Sequence, residues 1–82
     1  MKKYNGHRSW NAWNVALWIA NDEPLYRFAV DCLERKTAKG KTPTLAQATN
    51  RFMRDMEGQK TPDGADYNRK CVYEALAGLR DD

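Results

Sequence analysis

The apolar positions between Ser9 and Glu23, SWNAWNVALWIANDE, recur too densely for a single stripe to hold them. Wound as a helix at about 100° per residue, Ala12, Trp13, Val15, Ala16, Leu17, Ile19 and Ala20 cover well over half of the circumference. Trp10 extends that surface at its start. One strip is left over, carrying Asn11, Asn14, Trp18 and Asn21. A helix apolar nearly all round is normally wrapped by its neighbours, so the pattern predicts a central first helix. Ser9 suits its N-cap. Asn21 and Asp22 end it, and Pro24 fits the first turn of a second helix, where its missing N–H costs nothing.

The second helix is predicted from about Glu23 to Lys36, with Leu25, Phe28, Ala29, Cys32 and Leu33 as one buried stripe. Residues 37–43, TAKGKTP, read as a basic connector broken at Gly40. Thr42 or Thr44 caps a third helix, and Thr44 with Gln47 fits a capping box. Its stripe is Leu45, Ala48, Phe52, Met53 and Met56. Thr49 lies on the same face, with its hydroxyl placed to bond back one turn. Gly58 is the expected stop. Residues 58–64 are a loop, and a fourth helix is predicted from Ala65 to Leu79 or Arg80, burying Val72, Leu76 and Leu79. No period-two alternation runs beyond a few residues, and no repeat is present.

These elements predict an all-α, single-domain bundle of about four helices over residues 1–82, packed around the Trp-rich first helix. Residues 1–8 are expected to be irregular, with a turn at Asn5-Gly6. The short link at residues 21–23 requires a corner or a tight hairpin. The expected core holds Trp13, Leu17, Phe28, Leu33, Phe52 and Leu76.

Composition narrows the function mainly by exclusion. No apolar run approaches the roughly 20 residues of a membrane span. Lys2 and Lys3 precede an apolar stretch, but Asn5 to Arg8 intervene and no small-residue cleavage site follows, so a cytoplasmic protein is expected. Cys32 and Cys71 fall within helical patterns and outside any CxxC or Cys/His spacing. They read as two small buried hydrophobes, with a disulfide as the alternative. His7, the only histidine, sits in a turn away from any acidic or nucleophilic partner in sequence. With no phosphate loop or nucleophile elbow, the expectation is a protein without enzymatic activity, cofactor or metal.

Two sets of residues are candidates for binding. The first is the strip of Asn11, Asn14, Trp18 and Asn21, as a partner contact. Aligned asparagines inside a core need a reason, because an unpaired buried amide costs about 1–3 kcal/mol. The competing reading has these amides bonding to neighbouring helix ends while Trp18 closes the bundle.

The second set is basic. Residues 1–41 hold eight Lys/Arg against four Asp/Glu, net +4, and residues 42–82 hold six against seven, net −1. Arg35, Lys36, Lys39 and Lys41 cluster in the connector, and Arg51 and Arg54 follow on the third helix. They form an alternative nucleic-acid surface. Thr44, Gln47, Asn50, Arg51 and Arg54 give that helix some likeness to a recognition helix. The connector before it is too long for a tight helix-turn-helix, and Asp55 and Glu57 follow closely.

The N-terminal pattern Tyr4-Asn5-Gly6, then WNAWNVALWIANDEPLY, resembles short uncharacterised proteins of bacteriophages and other mobile elements with a YNG…WNVxLWIxND signature. The likeness covers about residues 4–26. It implies a setting, the cytoplasm of a host cell, and carries no mechanism. Small phage proteins without catalytic groups commonly act on host proteins, such as defence systems. The expected function is therefore a non-enzymatic protein that binds and modulates or inhibits a host protein. The alternative is a small nucleic-acid-binding regulator using the basic residues.

Overall fold

The computed structural model describes residues 9–81. The expected turn at Asn5-Gly6 and the isolated His7 lie outside the described residues. Four helices follow in order: α1 (Trp10–Asn21), α2 (Glu23–Glu34), α3 (Leu45–Met56) and α4 (Arg69–Asp81). Among the described residues there is no strand, and one isolated antiparallel bridge pairs Lys60 with Asp66. The all-α bundle expected from the apolar periodicity is the fold observed.

The helix ends follow local chemistry. Ser9 Oγ accepts the Ala12 N–H at 3.1 Å, satisfying one orphan donor of α1. Asp22 makes the corner alone: its N–H donates to Trp18 O at 2.9 Å, and its carboxylate accepts from Leu25 N at 3.2 Å. Of the two threonines before α3, Thr44 is the cap, and it forms the full reciprocal box with Gln47. Thr49 Oγ1 donates back to Leu45 O at 2.7 Å, which lets a hydroxyl sit fully buried.

Two boundaries differ from the periodicity. The second helix ends at Glu34, and Arg35 is already extended with ψ 122°. Its last carbonyls take donors from distant side chains in place of another helical turn. The guanidinium of Arg51 bonds Cys32 O at 3.2 Å and Lys36 O at 3.3 Å, and also Arg35 O. Arg80 bonds Leu33 O at 2.9 Å and Pro43 O at 3.0 Å. The fourth helix starts at Arg69, four residues late. Asn68 holds the N-terminal position, its side chain accepting Cys71 N at 2.9 Å, while residues 61–65 close on themselves as a turn.

The expectation of a central α1 is corrected by the packing. Both α2 and α4 touch all three other helices; α1 packs on α2 and α4 and does not reach α3. Its inward seam is Ala12, Val15 and Ile19, three buried and mostly small side chains that allow close approach. Leu17 points the other way. Expected in the core, it is 37% exposed, and Trp10 is 39% exposed. The aromatic centre of the molecule is a run from Phe28 to Phe52 to Tyr67, with ring centroids 5.2 and 6.1 Å apart. Phe52 is completely buried there, with Leu33, Val72 and Leu76 in the same cluster, and Trp13 and Phe28 are half-buried.

Candidate functional site

The polar strip of α1 meets the loop between α3 and α4. That loop is held in shape by its own bonds. Thr61 N donates to Ala65 O, Gly64 N donates to Thr61 O, and Ala65 N donates to Thr61 Oγ1, at 2.8, 2.8 and 3.0 Å. Gly64 supplies the left-handed turn at φ 93°, a conformation other residues adopt only under strain. The turn drives Ala65 and Tyr67 into the core and leaves Asp63 at its tip.

Asn14 then joins loop to helix. Its amide nitrogen donates to Asp63 Oδ2 at 2.9 Å, and its carbonyl oxygen accepts from Thr61 Oγ1 at 2.6 Å. The Trp18 indole N–H reaches the same Asp63 oxygen, also at 2.9 Å. One turn earlier, Asn11 makes a reciprocal pair with the backbone of Asp66, donating to its carbonyl at 2.9 Å and accepting from its N–H at 2.8 Å. The same amide nitrogen also lies 3.3 Å from Cys71 Sγ. Asn21 bonds to Leu17 O at 2.8 Å, within its own helix.

Three members of the strip thus position the loop, and the fourth bonds back on α1. Asn14, at 1% exposure, is covered while the loop is seated, so it offers no surface to a partner. Buried and hydrogen-bonded on both polar atoms, it resolves the problem of an amide in the core. Trp18 is half-buried, with its N–H committed. Donation from Asn14 and then from Trp18 holds the Asp63 carboxyl below the usual carboxylate range. The sequence marks Asp63 only as the tip of a Pro-Asp-Gly turn, and nothing local shows that its partners lie on α1.

The fold brings Arg51 against the backbone of Arg35 and Lys36. Arg51 is turned onto the end of α2, Arg35 pairs with Asp31, and Lys36 Nζ donates to Thr42 Oγ1 at 2.9 Å. Lys39, Lys41 and Arg54 stay exposed. Of the polar face expected on α3, Thr44 and Gln47 are engaged in the cap, and Asn50 accepts from Arg69.

One surface was not singled out by the sequence. Trp10, Leu17 and Ala20 are exposed on the side of α1 opposite Val15 and Ile19, with half-buried Trp13 beside them. Positions 10, 13, 17 and 20 have the spacing of a helix–helix seam. No residue of α1 carries a charge, although 30% of the chain is charged.

Cys32 and Cys71 are separate, buried and free of any disulfide. Burial first, and then Asp31, pushes the Cys32 thiol up to about 11. Among the described residues no group of three or more His, Cys, Asp or Glu is placed to hold a metal ion. No helix among them is long and apolar enough to cross a membrane. Comparisons with curated proteins and with solved structures give no match. A family model does match, over residues 1–80, nearly the whole chain, and the chain belongs to that family, a family of unknown function, DUF7249.

Proposed function

We propose that this protein acts by binding another protein, one of the host cell that a phage or other mobile element enters, and modulating it without chemistry of its own. The observation that carries the reading is the outer side of α1, where Trp10 and Leu17 lie exposed on a helix without a single charge. Exposed apolar residues are ordinary when scattered; aligned at seam spacing they form a face. Tryptophan is enriched where interfaces concentrate their energy, because it joins a large apolar surface to one donor. The contact moves round the helix from Asn11 and Asn14, which the loop engages, to Trp10, Leu17 and the outer edge of Trp18.

The partner's matching surface is apolar and uncharged, since α1 offers no ion-pair partner. The test is affinity capture from nuclease-treated host lysate with wild type, Leu17→Asp and a Lys39→Gln/Lys41→Gln variant. A protein retained by wild type and by the lysine variant, but lost with Leu17→Asp, supports the reading. Retention that depends on the lysines and disappears with nuclease overturns it in favour of nucleic acid, whose binding also weakens steeply with salt.

A further inference from the structure

We infer that the groove between α2 and α4 binds a small amphipathic carboxylate, an apolar body carrying a single negative charge. The site goes beyond the proposed protein contact and takes no residue from α1. Its walls are Tyr26, Val30 and Leu33 of α2 with Leu79 of α4. Leu33 is buried, Val30 and Leu79 are half-buried, and Tyr26 is exposed at the rim. The groove holds about 340 Å³, at the small end of the roughly 300–1,000 Å³ usual for small-molecule sites.

The polar groups decide the ligand. Arg80 lines the groove, and its Nη2 donates to Leu33 O at 2.9 Å and to Pro43 O at 3.0 Å. Those two carbonyls hold the guanidinium in place. Among the described residues its Nε and Nη1 donate to nothing, so a fixed cation keeps donors in hand. A carboxylate there takes a charge-assisted bond, and the cation is already ordered before the ligand arrives. Thr42, next in the chain to Pro43, lines the same groove. Its Oγ1 accepts from Lys36 Nζ at 2.9 Å, which leaves the hydroxyl hydrogen to donate and brings up a second cation.

Among the described residues lining the groove, Glu34 is the one acid. Two cations against one carboxylate suit one negative charge on the ligand and oppose a second, because like charges at close range repel. The walls select the rest of the molecule: a short aliphatic chain or a single aromatic ring, which Tyr26 can face. A nucleic-acid strand, charged at every phosphate, would meet Glu34 and leave the apolar walls unused.

Titration of the isotope-labelled full chain with hydrocinnamate, followed by amide NMR shifts, tests this. Saturating shifts are expected around the groove, with a dissociation constant of about 1 mM, as suits a small ligand in a shallow site. Hydrocinnamamide, which lacks the charge, and benzylmalonate, which carries two, should each bind about tenfold more weakly. Arg80→Gln should erase the preference for acid over amide. Because that change also uncaps α2, two exposed positions are tested beside it. Lys36→Gln should weaken hydrocinnamate several-fold, and Glu34→Gln should admit benzylmalonate, both with unchanged circular dichroism. Absence of saturating shifts, shifts centred elsewhere, or equal affinity for acid and amide in the wild type overturns the inference. So does a chain in which neither Lys36→Gln nor Glu34→Gln alters binding. Leu17→Asp, which disrupts the proposed protein contact, should bind hydrocinnamate as wild type does, so the two readings fail separately.

Discussion

Asn14 and Asp63 stand 49 residues apart in the chain and 2.9 Å apart in space, an amide nitrogen on a carboxylate oxygen. The bond fixes the α3–α4 loop to α1. The same amide also accepts from Thr61, so removing it leaves a buried hydroxyl without its acceptor. Asn14→Ala is therefore expected to destabilise the protein by about 1–3 kcal/mol or more. Asn21→Ala, whose amide bonds only within its own exposed turn, should change stability by less than about 0.5 kcal/mol. Thermal melts of the two variants check the difference.

Acid should loosen the same junction. The folded state holds the Asp63 carboxyl below its ordinary value, so the unfolded chain takes up that proton first as pH falls. The stabilisation is complete above the ordinary carboxylate range and is lost as pH drops through that range toward the depressed value. Fluorescence of Trp18 followed from about pH 6 to about pH 2 should show the change. Asp63→Asn, which has no titrating group, should remove that component of the pH dependence.

Leu17→Ala removes a side chain that is more than one-third exposed, and its cost should stay near or below about 1 kcal/mol. Phe52→Ala empties the centre of the aromatic run and should cost about 3–5 kcal/mol. In a domain of this size that is enough to unfold most of the population. Urea titrations of the two proteins read both values.

Arg51→Ala should cost about 1.5–3 kcal/mol, because a charged donor to the end of α2 is lost. Arg54→Ala, exposed one turn along the same helix, should be neutral within about 0.5 kcal/mol. Chemical denaturation separates them, and equal effects would show that the cap on α2 contributes nothing.

The Cys32 thiol, pushed up to about 11, should react with thiol reagents far more slowly than a cysteine in the unfolded chain near neutral pH. The unfolded thiol ionises first as pH rises through about 9, so the same shift lowers folding stability above that point. A disulfide-exchange assay with and without denaturant measures the first effect.

Helices and caps were legible because they depend on neighbours in sequence. Ser9, Asp22 and the Thr44–Gln47 box act within one turn, and the stripes of α2 and α3 bury or half-bury against the core the residues their periodicity marks. What misled was the excess of apolar positions on α1. Periodicity shows that a face is apolar and is silent on which neighbour, or none, covers it, so Leu17 read as core. The α3–α4 loop was illegible for a related reason. Thr61, Asp63, Ala65 and Tyr67 have no helical or strand period, and the partners of Thr61 and Asp63 on α1 lie more than forty residues away. Arg51 read as a surface charge because its acceptors are backbone carbonyls, which sequence does not display.

The carbonyl end of α2 accepts donors from Arg51 on α3 and Arg80 on α4. A chain emerging from the ribosome therefore makes α2 long before the groups that finish it exist. Until Arg80 is released, 47 residues after Leu33, that helix terminus must be served by water and will fray. Completion waits on a distant part of the chain, so the protein matures as a unit rather than helix by helix. A nascent chain stalled before residue 80 should accordingly leave the segment from Leu33 to Pro43 open to proteases that the released protein resists.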